Sequence, residues 1–459
     1  MSAPASPPPP ALPPGILVAW LGDDFTGAAA TMEALTFNGL PAALFFEPPT
    51  PARLACFPGL RGVGVATTAR ASAPEAMDAD LPGGFAALAA LGAPLLHYKV
   101  CSTLDSAPRL GSIGRALEIG LRATGAALAP ILIAAPEMRR WQLFGTLFAG
   151  HPGGVARLDR HPVMARHPAT PMDEADVARH LARQTDLPMG VLDIEALRGP
   201  DPDAALAAFG AGGVALDAVD EADMARCGGV IWRGRGARPF VVGSQGVEYA
   251  LVHHWRAGGL LGPAPSPVCA GPARTIVVSG SMSPVTAAQI ARAEQDGFAA
   301  IALDAAAVVA GGWEAETAVA AAASAALAAL GAGRDPLVAT ARGPDDPSAA
   351  ACRALAARRG LSAEGASAAI GGALGAVLAQ VLDVAHVRRC VISGGDSSGF
   401  AARGLGLEAL IPIAPTIPGA ALCRAVAPSP RDGLEIALKG GQMGTEDFFS
   451  WIRAGAGPR

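Results

Sequence analysis

Short runs of aliphatic and aromatic residues alternate with helix-like stretches along almost the whole chain. ILVAWL from Ile16, AALFF from Ala42, GVGVA from Gly62, PLLHYK from Pro94 and PILIA from Pro130 read as strands. GVLDI from Gly190, GVALDAV from Gly213 and PFVVG from Pro239 continue the series. Helical stretches such as 26–38 and 112–123 fill the gaps. Alternation of this kind selects parallel sheets covered by helices on both faces. The pattern breaks at GGLLGPAPSPVCAGPA, from Gly258, which is dense in Gly and Pro and has no periodicity. It then resumes with TIVVSG, a helix from Pro284, AAIALD, a long alanine-rich helix, PLVATA, two helices, CVISGG, a short helix, LEIALKGG and a last helix from Glu446. The expected fold class is therefore α/β, in two domains, each a mostly parallel sheet with helices on both faces. The expected boundaries are a disordered Pro-rich leader over 1–14, a first domain over 15–257, a linker over 258–273 and a second domain over 274–459.

A chain of 459 residues exceeds one comfortable core, which agrees with two domains. A net charge of −5 gives no basic surface for nucleic acid, so no nucleic-acid partner is expected. The most apolar-looking stretch, TAVAAAASAALAALGAG from Thr317, is too short and too weakly hydrophobic to span a bilayer, so no membrane partner is expected. The leader MSAPASPPPPALPP lacks a basic start and a continuous apolar stretch, and it does not read as a signal peptide. Seven cysteines show neither a CxxC pair nor zinc spacing, which fits a reducing cytoplasm. No HExxH occurs, and no protein-held metal site is expected.

Lysine occurs twice, and arginine supplies the rest of the 35 basic residues. A surviving ammonium can reach a single phosphate or carboxylate oxygen where a planar guanidinium needs a fork-shaped partner. Both lysines sit where an apolar run meets a polar or glycine-rich turn, and ligands of open α/β sheets bind outside the carboxyl ends of strands. In AWLGDDFTGAA, Asp23 and Asp24 can orient or deprotonate a substrate hydroxyl; plain capping of the next helix by Asp24 or Thr26 is the alternative. In YKVCSTLDSAPRLGS, Lys99, Ser102, Thr103 and Arg109 combine hydroxyls with cations and suit a polyhydroxy acid; a polar capping loop is the alternative. Three glycine-bearing turns follow strands in the second half. They are VVSGSMSP with Ser281, SGGDSSG with Gly394, Gly395, Asp396 and Ser397, and LKGGQMG with Lys439, Gly440 and Gly441. Together they form a cradle for a nucleotide phosphate. In VVSGSMSP an ordinary junction capped by Ser283 is the alternative.

Competing motifs fail on context. No GxxxxGK[ST] loop is present. GLGLEA from Gly404 lies in or after a short helix, not after a strand, so it is no dinucleotide fingerprint. Gly395–Gly399 matches GxSxG, but no histidine follows Ser397, and the hydrolase order requires one.

Taken in order, DDFTGA at Asp23, HPATPM at His167, VVGSQGVEYAL from Val241, VVSGSMSPVTAAQI, SGGDSSG and LKGGQMG resemble the four-carbon acid sugar kinases, the group of D-threonate, D-erythronate and 3-oxo-tetronate kinases. The resemblance covers nearly everything after the leader. It implies an amino-terminal domain that holds a small sugar acid and a carboxyl-terminal domain that holds ATP, with Mg²⁺ bridging the phosphates. It places Asp23, Asp24, Lys99, Ser102 and Thr103 on the substrate side, and Ser281, Gly394 to Ser397 and Gly440 on ATP. Within it, Asp24 is the first choice for the group acting on the attacking hydroxyl, with Asp23 second. Arg109 is a candidate for the acid's carboxylate and Lys439 for charge on the phosphates. One departure is notable. Family members read KKxDSTLRGN near the first lysine, where this chain has YKVCSTLDSAPRLGS, with Cys101 in place of the aspartate. That loop points to a branched or 3-oxo acid such as 3-oxo-isoapionate. A sensor that binds sugar acid or nucleotide without turnover, and a decarboxylase, aldolase or dehydrogenase of the same acids, stay open at this point. So does assembly as a homodimer.

Overall fold

The structure, a computed structural model, describes residues 11–151, 153–167, 169–428 and 430–459. For Ala363, Glu364, Asp396 and Ser397 only the backbone is described. The first ten residues of the expected leader, and Pro168 of HPATPM, lie outside the described residues. The chain forms two compact units. The first runs to Asp23 and includes Ala34–Ala42 and Pro48–Pro265; the second takes Asp24–Glu33, Ala43–Glu47 and Ser266–Arg459.

The strands are, in chain order, β1 (Val18–Gly22), β2 (Ala42–Phe45), β3 (Gly62–Ala66), β4 (Leu95–Lys99), β5 (Leu128–Leu132), β6 (Arg140–Leu143), β7 (Thr146–His151), β8 (Gly154–Arg157), β9 (Met189–Leu192), β10 (Gly212–Leu216) and β11 (Phe240–Gly243). They continue with β12 (Thr275–Ser279), β13 (Ala299–Ala302), β14 (Pro336–Ala339), β15 (Arg389–Ser393), β16 (Ala409–Ala414), β17 (Leu422–Val426) and β18 (Glu435–Lys439).

In the first unit the parallel strands lie in the order β3-β1-β4-β11-β5-β10-β9. Every residue of β1, β3, β4, β5 and β10 is buried, which is why these segments, His97 and Lys99 of β4 apart, read as apolar runs. The glycines of GVGVA have a packing reason. A Cβ on Gly64 would lie 1.9 Å from Trp20 Cε2, so the indole of the neighbouring strand occupies that space. The helix Ile113–Thr124 shows the local rules: Ser112 Oγ accepts the Arg115 N–H at 3.0 Å, and Gly125 ends it at φ 68°. A separate antiparallel sheet, β6-β7-β8, is added after β5.

In the second unit the order is β13-β14-β12-β15-β18-β17-β16-β2. Strands β13 to β18 are parallel to their neighbours as far as β18, after which β17, β16 and β2 pair antiparallel. Its core gathers Val277, Phe298, Leu337, Val391, Phe448 and Ile452. The early segments belong here because of what they bond. Leu44 and Phe45 pair with Leu410 and Ala409, and the Phe46 N–H donates to Glu408 O at 3.0 Å. Glu33 accepts the Gly419 and Ala421 N–H groups, each at 2.8 Å.

Among the described residues one helical segment, Gly365–Val384, is long and apolar enough to cross a membrane by length and composition. It is not the stretch from Thr317. Its Leu374, Val377, Leu378 and Val381 are buried within the protein.

Candidate functional site

Each unit has a place where the chain, having left a strand toward one edge of the sheet, crosses to that strand's other flank. In the first, the chain leaves β1 for the β3 side and later returns to β4 on the other flank. In the second, it leaves β12 for β13 and β14, then crosses to β15. Such switch points open a crevice at the carboxyl ends of the strands. The register aligns those ends in single rows. Ala66, Gly22, Lys99, Gly243 and Leu132 are successive partners in the first unit, and Ser279, Ser393 and Lys439 in the second.

In the first unit, Asp23 directly follows its row and is almost fully buried. Its backbone N–H donates to Lys99 O at 2.9 Å, and its carboxylate takes Arg70 Nε at 3.1 Å and Nη2 at 2.7 Å. Lys99 is buried, with Nζ donating to Val100 O at 2.6 Å. Ser102 and Thr103 are buried in the same loop. Thr103 Oγ1 donates to Asp105 Oδ1 at 3.0 Å and therefore accepts from the Cys101 thiol at 2.9 Å. Burial, with the Asp105 charge second, pushes that thiol up to about 11, so Cys101 is a neutral donor. Arg109 is exposed in the tight turn closed by Ala107 and Leu110. Arg115 is engaged by Asp78 and Glu118.

In the second unit, Asp24 starts the helix Phe25–Thr36 and its Oδ1 accepts the Gly27 N–H at 2.8 Å, the geometry of a capping residue. That helix start lies on the SGGDSSG segment: a Cβ on Gly399 would be 3.5 Å from Phe25 Cβ. The Gly280 N–H donates to Ser393 O and the Gly394 N–H to Lys439 O, each at 2.9 Å, which joins the three turns in sequence. Gly394 has φ 157°, a conformation costly for other residues. Gly395 precedes the helix Asp396–Arg403 and its carbonyl takes the Ser398 hydroxyl at 2.8 Å. The side chains of Asp396 and Ser397 lie outside what is described.

The third turn is stitched to the first. Ser281 Oγ accepts the Ser283 N–H at 3.2 Å, and Thr286 Oγ1 donates to Gly441 O at 2.8 Å. A Cβ on Gly441 would fall 2.5 Å from Ser281 Oγ, so glycine lets that hydroxyl keep its present position. Ser283 caps the helix Pro284–Gln295, the plain reading of that segment, through Thr286 N–H at 3.0 Å. Lys439 Nζ is buried among the carbonyls of Gly440 at 2.9 Å, Met443 at 3.2 Å and Gly441 at 3.4 Å. Burial pushes its amine down to about 7. A trans peptide points its N–H opposite to its C=O, so the amides of Gly441 and Gln442 face away from Lys439. Backbone donors, not the ammonium, are what this turn offers to a phosphate.

Sequence reasoning did not single out Arg70, Arg140, Asp105, Thr286 or Glu33. Arginine is frequent here, so no count could mark Arg70 or Arg140, and Glu33 takes its partners from 386 and 388 residues away.

Comparison with known proteins gives a consistent picture. The family described as "Sugar-binding N-terminal domain" matches residues 18–251, and "Nucleotide-binding C-terminal domain" matches 276–449. The chain is 46% identical to a 3-oxo-isoapionate kinase of Paraburkholderia graminis, over 97% of this chain and 96% of that protein. It is 32% identical to a 3-oxo-tetronate kinase of Methylobacterium radiotolerans, over 94% and 96%. Among solved structures it resembles a Salmonella typhimurium LT2 protein, provisionally described as a tRNA synthase, with TM-score 0.74 and 25% identity over 95% of this chain and 98% of that one. A Haemophilus influenzae protein shares the fold at TM-score 0.69 and 22% identity, over 95% and 99%.

Proposed function

Because this chain belongs to the four-carbon acid sugar kinase family, we propose that it transfers the γ-phosphate of ATP to a hydroxyl of a small sugar acid, with a 3-oxo-isoapionate-like acid as its substrate. What supports this reading most is the alignment of Ser279, Ser393 and Lys439 in one row. It starts three glycine turns from neighbouring strand ends, a cradle of backbone donors suited to phosphate oxygens. In this reading Ser281, Gly394, Gly395 and the amides after Gly440 hold the phosphates. Lys439 supports them by fixing the carbonyls of its turn, and Asp396 and Ser397 join them at the helix start.

Asp24 orients the attacking hydroxyl and accepts its proton, a role compatible with using one oxygen as a cap. Asp23 carries the first-unit side of the same loop, held by Arg70. Lys99, Ser102 and Thr103 bind the acid's oxygens. Mg²⁺ would neutralise charge on the phosphates. Among the described residues no three His, Cys, Asp or Glu side chains converge to cage it, so it would arrive carried by ATP and water. All seven cysteines are unpaired, which supports a reducing cytoplasm. An RNA-directed activity finds no support in a net charge of −5.

The test is ADP release over a panel of 3-oxo-isoapionate, branched apionates, 3-oxo-tetronates and tetronates. Turnover highest on the branched 3-oxo acid is expected. Silence across the panel, with no ATP binding by calorimetry, would end the kinase reading.

A further inference from the structure

The first unit carries a guanidinium whose charge the protein leaves unanswered. Arg140 opens β6, just past the carboxyl end of β5, where Ala135 and Arg140 close a small bridge. Its Nη1 donates to the carbonyls of Arg139 at 3.1 Å, Met138 at 3.2 Å and Gly150 at 3.5 Å. Those three bonds fix the plane of the group and use one of its nitrogens. Nε is buried with no hydrogen-bond partner. No carboxylate lies within ion-pair distance of Arg140 among the described residues. The Nε–Nη2 edge is the one that matches a carboxylate with two parallel N–H donors.

Neighbouring guanidiniums use the same edge within the protein. Arg70 spends the same edge on Asp23. Arg115 spends its own on Asp78. Cys101, held neutral chiefly by burial, lies within the electrostatic reach of Arg140, as does Asp105. Asp105 is itself occupied by the Thr103 hydroxyl. Arg139 adds positive charge beside Arg140, and Asp105 is the carboxylate that opposes it. A half-buried guanidinium with its Nε out of water and no counter-ion carries a desolvation cost, and a monoanionic ligand would offset it.

The geometry points to Arg140 as the receptor of the substrate's carboxylate, gripping it with Nε and Nη2. This rests on the sugar-acid reading and sharpens it, because it moves the carboxylate from the exposed Arg109 to a guanidinium pinned by its own backbone. Acids with the carboxylate free would bind, and their amides or lactones would not. The short β6-β7-β8 sheet then has a stated purpose: its first residue and Gly150 together aim the fork.

The experiment is calorimetric titration of freshly generated 3-oxo-isoapionate and of its carboxamide into wild type, Arg140→Gln and Arg140→Lys, with steady-state kinetics beside it. For the wild type, the acid should bind at least about 30-fold more tightly than the amide. In Arg140→Gln, acid affinity should fall roughly 30- to 100-fold, acid and amide should become equal, and KM for ATP should stay within about twofold. Arg140→Lys keeps the charge without the fork and should lose roughly tenfold. It also reports if the glutamine variant does not fold. Acid affinity within about threefold of wild type in either folded variant overturns the assignment, as does wild type that binds acid and amide alike. Binding of the acid by wild type without any ADP release would instead remove the kinase reading and leave Arg140 standing.

Discussion

Arg70 grips Asp23 with two arms of its guanidinium, Nε to Oδ2 at 3.1 Å and Nη2 to Oδ1 at 2.7 Å, while the Asp23 side chain is 3% exposed and that of Arg70 22%. The pair sits at the switch point of the first sheet, and Arg70 N–H also donates to Asp23 O at 3.0 Å. Arg70→Met would strand a buried carboxylate. It should cost about 3 kcal/mol, read as a lowered melting temperature, and should weaken acid binding as well. Asp23→Asn, which keeps the shape and loses the charge, should be the milder change. A melting curve for Arg70→Met that overlays wild type would show that the clamp is not structural.

Asp24 stands one residue on and does a different job. Asparagine caps helices about as well as aspartate, so Asp24→Asn should preserve the Gly27 contact and the helix. It cannot accept the substrate's proton. Turnover should fall roughly 10²- to 10⁴-fold with ATP affinity unchanged within about twofold. Near-normal turnover would reduce Asp24 to a cap.

Glu33 gives a pH signature. Burial, opposed by its backbone N–H donors, raises its carboxyl from 4.5 to about 7. The folded state then holds this proton more tightly than the unfolded chain. Its contribution to stability is full below pH 4.5 and is lost as pH rises through about 7, a swing of about 3 kcal/mol. Glu33→Gln should flatten that part of the profile in melts taken from acid to neutral pH. An unchanged slope would mean Glu33 ionises normally.

Lys439 runs the other way. Its amine falls from 10.5 to about 7, so the stability tied to it is present above pH 10.5 and lost as pH falls through about 7. Function needs the opposite state, because the ammonium offers three donors to its four acceptors, three carbonyls and Thr286 Oγ1, and the neutral amine offers two. KM for ATP should therefore rise several-fold as pH is raised across about 7, and Lys439→Met should be high and flat over the same range. A wild-type KM independent of pH, once ATP's own titration is subtracted, would contradict this.

The close approach of Gly441 to Ser281 can be tested with one methyl group. Gly441→Ala brings a Cβ to 2.5 Å from Ser281 Oγ, so the hydroxyl must swing off its bond with the Ser283 N–H or the two turns must part. KM for ATP should rise about tenfold or more, with acid affinity untouched. Gly262→Ala, where a Cβ meets nothing within 4 Å and, as at Gly441, φ is not in the left-handed region, is the control for the added methyl alone. Equal effects at both positions would separate the Gly441–Ser281 contact from ATP binding.

Parallel strands buried on both faces announce themselves as apolar runs, and β1, β3 and β12 were legible for that reason. The β6-β7-β8 sheet was not, because RWQL, TLFAGH and GVAR are half-exposed and mix polar with apolar residues. ALIPIA was hidden by Pro412, which argues against a strand and sits at a shift in register. The glycine turns could be read as turns, since glycine has a local meaning. The arginine that a carboxylate would meet could not, because a guanidinium's free edge exists only once its neighbours are folded around it.

Residues 24–33 and 43–47 are synthesised with the front half of the polypeptide yet complete the rear one. A gene fusion that exchanged front halves between relatives at residue 265 would graft a foreign edge strand and a foreign Glu33 helix onto the nucleotide-holding half. Shuffling at that seam would thus be selected against unless both halves travelled together, and the two-part architecture would be inherited as one piece.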